Sequence, residues 1–163
     1  MKYRAKNIPA APFAGYRSDS APISAVHPPK PIYAVKLMEQ IMIDLPPAEV
    51  RCLEAAIHYE AKGESFAGKL AVGNVVLNRV AAPDFPKSVC AVVKQKKQFS
   101  WYRGDDASLN ARVSDDTRKA ARKALASKRG DTLFFHATYV APSWSQKLSR
   151  QFTIGKHIFY ALR

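Results

Sequence analysis

Between Phe66 and Val80 the chain is so apolar that a helix there has to be surrounded. Leu70, Ala71, Val72, Val75, Val76, Leu77 and Val80 are distributed around its circumference, and a helix that is hydrophobic on most sides belongs inside a domain. Ser65 is placed to cap it. The other elements must then be arranged about this central helix.

The preceding segment supplies one neighbour. Asp44 as a cap, with Pro46 and Pro47 in the first turn, predicts a helix that runs to a stop at Gly63. Val50, Leu53, Ile57 and Glu60 share one stripe of it, so a carboxylate sits where the pattern asks for a core residue. Farther on, Pro83 and Pro86 punctuate a loop, residues 89–94 make a short apolar turn or helix, and residues 98–106 form a polar and aromatic loop. Ser114, Asp115 and Asp116 open another helix whose inner face carries Ala120, Ala121, Ala124 and Leu125, and which Gly130 ends. Residues 132–140 and 153–160 are rich in β-branched and aromatic side chains and are expected to pair as strands around a loop holding Pro142 and Trp144. The fold class that follows is α+β, mostly α, with a small antiparallel sheet or hairpin.

Most of the prolines fall before residue 48. Residues 1–44 read as a Pro-rich arm, with a short helix over 32–44 where Ile32, Val35, Met38, Ile41 and Met42 recur at helical spacing, and residues 45–163 as the domain proper. No stretch approaches the roughly 20 apolar residues of a membrane span, so a soluble chain is expected. Pro9, Pro12 and Gly15 interrupt the segment behind Lys2, Arg4 and Lys6, which argues against an ordinary secretory signal.

The formal charge of +13 implies accumulation on polyanions: nucleic acid, anionic lipid or an anionic cell wall. The basic residues form no dense run and accompany no nucleic-acid fold signature. Cys52 and Cys90 are equally compatible with a reduced pair and with one disulfide, which would contribute about 4 kcal/mol by loop entropy.

Glu60 carries the sharpest chemistry. Burial on an apolar stripe disfavours its ionised form and raises its pKa toward the range where it can give up a proton near neutrality. Periodicity alone favours the plainer alternative, an edge glutamate paired to Arg51 or Arg79.

A resemblance shifts that balance. The run from Ala56 through Tyr59, Glu60, Ala61 and Gly63 to Glu64, then Gly68 to Val80, is similar to the opening signature of the SleB-type cell-wall hydrolases, the family of spore-cortex-lytic enzymes. Phe85-Pro86, Cys90 to Val93, Gln98 to Trp101, Phe135 to Trp144 and Ile154 to Tyr160 resemble successive family blocks in the same order, over about residues 50–160. The resemblance implies a lysozyme-like fold, with Glu60 as the catalytic acid at the edge of a cleft. Lys62 departs from the arginine frequent in the family but keeps a cation there.

The expected reaction is cleavage of the MurNAc–GlcNAc bond of peptidoglycan by a lytic transglycosylase route giving 1,6-anhydro ends, with hydrolysis at the same bond as the alternative. Hydrolysis needs a second carboxylate. Glu64, placed one helical turn on, is the obvious candidate, ahead of Asp105 and Asp106. Gln98, Ser100 and Trp101 supply the amide, hydroxyl and aromatic face that sugar binding needs, with His136 and Tyr139 on the far wall beside Trp144. His157 reads as structural and Phe99 as core. No cofactor and no metal is expected.

Three rivals remain. A zinc amidase could use His58, His136 and His157 with Cys52 or Cys90, although their spacing matches no metal signature. A basic nucleic-acid module would bind duplexes in a salt-dependent way and ignore Glu60. A non-catalytic wall-binding or virion structural protein would keep the fold without the reaction. Partners are expected to be peptidoglycan strands, with neither nucleic acid nor a membrane span. The expected site of action is the periplasm or envelope, with phage delivery, either through a membrane lesion or carried in the particle, as the expected route and the arm as a docking piece for virion or envelope.

Overall fold

A computed structural model describes residues 45–96 and 98–163. The arm and the helix expected over 32–44 lie outside the described residues. Helix α1 spans Pro47–Glu60, α2 Phe66–Ala81, α3 Val89–Val93 and α4 Asp115–Leu125. Strands β1 (Thr132–Ala137), β2 (Ser149–Ile154) and β3 (His157–Ala161) follow, and short 3-10 turns cover Asp106–Asn110 and Ser143–Lys147. The domain is mostly helical with one small antiparallel sheet, as its sequence leads one to expect.

Helix α2 is central, touching α1, α3, α4, β1 and β2. Val72, Val75 and Val76 on it meet Leu53 and Ile57 of α1, Val92 and Val93 of α3, and Phe159 of β3 in one core. Gly73 marks the closest approach, because a Cβ there would lie 2.9 Å from Ile57 Cδ1 and 3.1 Å from Ala124 Cβ. Ser65 and Ser114 cap α2 and α4, accepting from the amides of Gly68 and Thr117. Both caps are where the sequence puts them. Helix α1 differs: its capping position is Pro46, which offers no side-chain acceptor, and the expected cap Asp44 lies outside the described residues. It also ends at Glu60, and the turn through Gly63 (φ 79°) leaves the helical path. Likewise α4 ends at Leu125, well before Gly130.

The sheet runs in the order β1-β3-β2, with both pairings antiparallel. Residues 153–160 are thus not one strand. Gly155 and Lys156 turn the chain between Ile154 and His157, which face each other. A two-residue hairpin of this kind wants positive φ at its first central position, and Gly155 has φ 54°. Two side chains at the end of α2 hold the sheet's entry: Asn78 Nδ2 donates to the Thr132 carbonyl at 3.0 Å, and Arg79 Nε to that of Leu133 at 2.7 Å. Cys52 and Cys90 form a disulfide between α1 and α3, Cα atoms 5.2 Å apart. Among the described residues no helix is long and apolar enough to cross a membrane.

Candidate active site

Glu60 is the last residue of α1. The stripe that carries it is buried at Leu53 and Ile57 and half-buried at Glu60 itself. Burial pushes its carboxyl up to about 7, against two smaller influences that favour the charged form, the Trp101 indole N–H and the charge of Arg79. The Trp101 Nε1 is buried and closes no hydrogen bond of ordinary geometry, so its influence on Glu60 is that of a nearby dipole.

Arg79 is buried and lies beneath this acid. Desolvation lowers its pKa to about 10, with the Glu60 charge opposing the drop. Besides the bond to Leu133, its Nη1 donates to Gln98 Oε1 at 3.2 Å. The guanidinium lies among the rings of Phe85, Phe99 and Phe134, 5.5, 5.9 and 5.8 Å from their centroids, where cation–π attraction offsets part of the desolvation. Glu60 and Arg79 form no ion pair, so the cation tempers the acid from a distance and leaves its oxygens unlocked.

Trp101 is half-buried, and one of its faces is taken. Tyr59 lies on it with centroids 4.5 Å apart and planes 19° apart, and Phe99 packs nearby at 5.9 Å. The exposed ring of the stack is Tyr59. Sequence reasoning missed Tyr59, which read only as part of a motif, and left Arg79 at its role as a partner that could neutralise the acid.

The other expected site residues separate into two groups. Gln98 is bonded to Arg79, which carries charge toward Glu60, and both Gln98 and Ser100 are exposed in the same loop. Glu64 is buried in other company, and because α1 has ended it is not one helical turn on from Glu60. It packs against the hairpin turn, accepting from the Lys156 amide at 3.3 and 3.4 Å, and lies 4.0 Å from His157 Nδ1. Burial lowers the His157 pKa, with the Glu64 charge opposing. His136 is held by neighbours: its Nδ1–H donates to the Ala137 carbonyl at 2.9 Å, and Nε2 accepts from the Tyr160 hydroxyl at 2.9 Å in the neutral ring. Tyr139 is 82% exposed. No hydrogen bond or ion pair among the described residues joins His136 or Tyr139 to Glu60. Asp105 caps a 3-10 turn and Asp106 pairs with Lys94 at 2.8 Å, both exposed.

Among the described residues no group of three or more His, Cys, Asp or Glu side chains is placed to hold a metal. The two cysteines nominated as zinc ligands are consumed in the disulfide. What converges at the end of α1 is one acid with a raised pKa, a buried cation at a distance, and an aromatic stack. Such a set can protonate a bridging oxygen beside a stacked ring.

Residues 63–160 match the family model described as Cell Wall Hydrolase. The chain is 29% identical over 114 residues to the spore cortex-lytic enzyme of Halalkalibacterium halodurans, covering 68% of this chain and 34% of that protein. To the Bacillus subtilis spore cortex-lytic enzyme it is 28% identical over 114 residues, covering 68% and 37%. It thus spans little more than a third of the length of these relatives. Among solved structures it is similar to the catalytic domain of the germination-specific lytic transglycosylase SleB from Bacillus anthracis, with TM-score 0.64 and 24% identity over 72% of this chain and 97% of that one, a likeness of fold. The catalytic domain of the Bacillus cereus SleB protein gives TM-score 0.63 and 25% identity, covering 71% and 91%.

Proposed function

This chain belongs to the cell wall hydrolase family, and we propose that it cleaves the MurNAc–GlcNAc bond of peptidoglycan as a lytic transglycosylase with Glu60 as its catalytic group. Glu60 begins protonated and gives its proton to the oxygen bridging muramic C1 and the next sugar. The C1–O bond breaks and the leaving sugar departs as an alcohol. The Glu60 carboxylate then takes the proton of the muramic C6 hydroxyl as that oxygen bonds to C1. A 1,6-anhydro ring closes, no water is consumed, and Glu60 is protonated again.

The observation that carries this reading is the isolation of the raised carboxyl. Burial, not a neighbouring acid, holds Glu60 at about 7, whereas the usual hydrolase keeps two carboxylates roughly 5 to 9.5 Å apart. Glu64 is engaged by the hairpin turn, and Asp105 and Asp106 are exposed and bonded elsewhere. Tyr59 offers a sugar the outer face of the stack, and Gln98 and Ser100 offer polar groups beside it. The activity of the SleB structure from Bacillus anthracis, named as a lytic transglycosylase, agrees with this reading.

Mass spectrometry of digested sacculi tests it. Anhydro-muramic ends from the wild-type protein and none from Glu60→Gln are expected; exclusively reducing muramic ends would replace the proposal with hydrolysis. Delivery as a phage endolysin through residues 1–44 is a separate proposal, supported by the basic character of the chain and tested by immunodetection in purified particles.

A further inference from the structure

Across α1 from the acid lies a second concave surface. The end of α1, the first turn of α2 and the approach to α4 enclose an open depression of about 410 Å3, lined by His58, Lys62, Lys69, Arg112, Ser114 and Thr117, with Gly63 and Val113 completing it. His58 precedes Glu60 by two residues, which at about 100° per residue sets it roughly on the opposite side of the helix. The depression therefore opens away from the cleft.

Its charge is one-sided. Lys62, Lys69 and Arg112 arrive from three separate stretches of chain, and no carboxylate lines the surface. The ion pairs among the described residues are Lys94–Asp106, Arg118–Asp115 and His157–Glu64, none of which engages these cations. Lys69 is fixed at the rim by donating to the Glu64 carbonyl at 2.8 Å. The Ser114 and Thr117 hydroxyls, 3.1 Å apart, add polar groups to the wall. Like charges gathered on a concave surface repel, and a bound oxyanion turns that repulsion into attraction.

We propose that this depression binds a carboxylate of the peptidoglycan stem peptide, so that the strand is held by its peptide as well as by its sugars; this rests on the glycan-cleaving reading above. The lengths agree. A helix with its side chains is about 10–12 Å across, so a path around half of it is roughly 16–19 Å, and a stem of five extended residues spans about 18 Å. A peptide borne by a sugar at Glu60 therefore reaches around the end of α1. A phosphate of another wall polymer has the same oxyanion chemistry but is not tethered to the strand in the cleft.

The test measures binding, in a Glu60→Gln background that leaves sacculi intact. Three proteins are compared: Glu60→Gln alone, the same with Lys62→Gln and Arg112→Gln, and a charge-matched control with Lys123→Gln and Lys128→Gln. Sacculi are presented with stems and phosphate polymers, with stems only, and after an amidase has removed the stems. Lys62→Gln with Arg112→Gln is expected to weaken binding to both stem-bearing preparations by about fivefold, as two partly exposed charge contacts would, and to match its parent on stem-free glycan. The control pair is expected to stay within about twofold of its parent throughout. An equal loss in the control, a loss that persists on stem-free glycan, or one that follows the phosphate polymers would overturn the proposal, as would no loss with a melting temperature matching the parent. Failure of the wild-type protein to release new muramic ends of either kind from stem-bearing sacculi would instead sink the glycosidase reading, leaving the binding result to stand or fall by itself.

Discussion

The carboxylate of Glu64 occupies the space that a side chain on Gly155 would need: a Cβ built there would lie 1.8 Å from Glu64 Oε2. With φ at 54°, Gly155 is also in a backbone region that other residues enter at a cost. Gly155→Ala is expected to destabilise the domain by about 2–4 kcal/mol. Adding Glu64→Ala should return about 1 kcal/mol of that, because the two changes share one volume. Thermal melts of the single and double variants check the coupling, and strict additivity would refute it.

Glu60 ties activity and stability to the same titration. In the proposed reaction its proton is present at the start of each cycle, so the rate is expected to fall as pH rises through about 7, with no acid limb from a second carboxylate. Its folded pKa lies above the ordinary value of 4.5, so the folded chain holds more protons than the unfolded one between those values. Stability present below 4.5 is therefore lost as pH rises through about 7. Glu60→Gln should abolish activity, match wild type near the acid end of this window, and exceed it by about 2 kcal/mol on the alkaline side. pH–rate profiles and denaturant melts at several pH values measure both effects.

Arg79 should show the opposite sign. Its charge favours ionised Glu60, so Arg79→Gln is expected to move the alkaline limb of the rate profile above about 7. Losing the bonds to Leu133 and Gln98 should also cost about 3 kcal/mol of stability. Arg79→Lys keeps the charge without the planar fork, so it should preserve the limb while losing stability. An unmoved limb in Arg79→Gln would show that the cation does not reach the acid.

Tyr59, not Trp101, presents the open face of the stack. Tyr59→Ala is expected to raise KM about tenfold with a smaller change in kcat, and Tyr59→Phe to behave as wild type. Steady-state kinetics on soluble glycan chains would separate these.

The disulfide closes a long loop, Cys52 and Cys90 being 38 residues apart. Replacing both by alanine should cost about 3–4 kcal/mol by loop entropy. A melt with and without reductant is the direct measurement; equal melting temperatures would remove the bridge from the stability account.

What the sequence disclosed and what it hid divide along physical lines. Helix α2 was legible because its apolar residues leave no polar face, and α4 because Ser114 and two aspartates announce its start. Glu60 stood out by breaking a stripe. Strand β2 was not legible as an element, since most of its residues face solvent and carry no alternating apolar signal. Its continuation into β3 hid the hairpin, because a glycine inside a β-rich run does not by itself mark a turn. Glu64 was misplaced for a related reason: helical spacing from Glu60 describes it only if the helix continues, and its partner Lys156 is 92 residues away. Tyr59 read only as part of a motif, because nothing near it in the chain signals that a distant loop brings Trp101 to stack on it.

In the proposed reaction the ring that meets a sugar and the side chain that gives a proton are consecutive residues, Tyr59 and Glu60, on one helix. Their offset, about 1.5 Å along the axis and 100° around it, is set by the helical backbone. A loop can breathe without changing it. The register in which a strand meets its cutter is thus a ruler built from one peptide bond, and an insertion between the two residues would shift every cut even if the rest of the domain stayed in place.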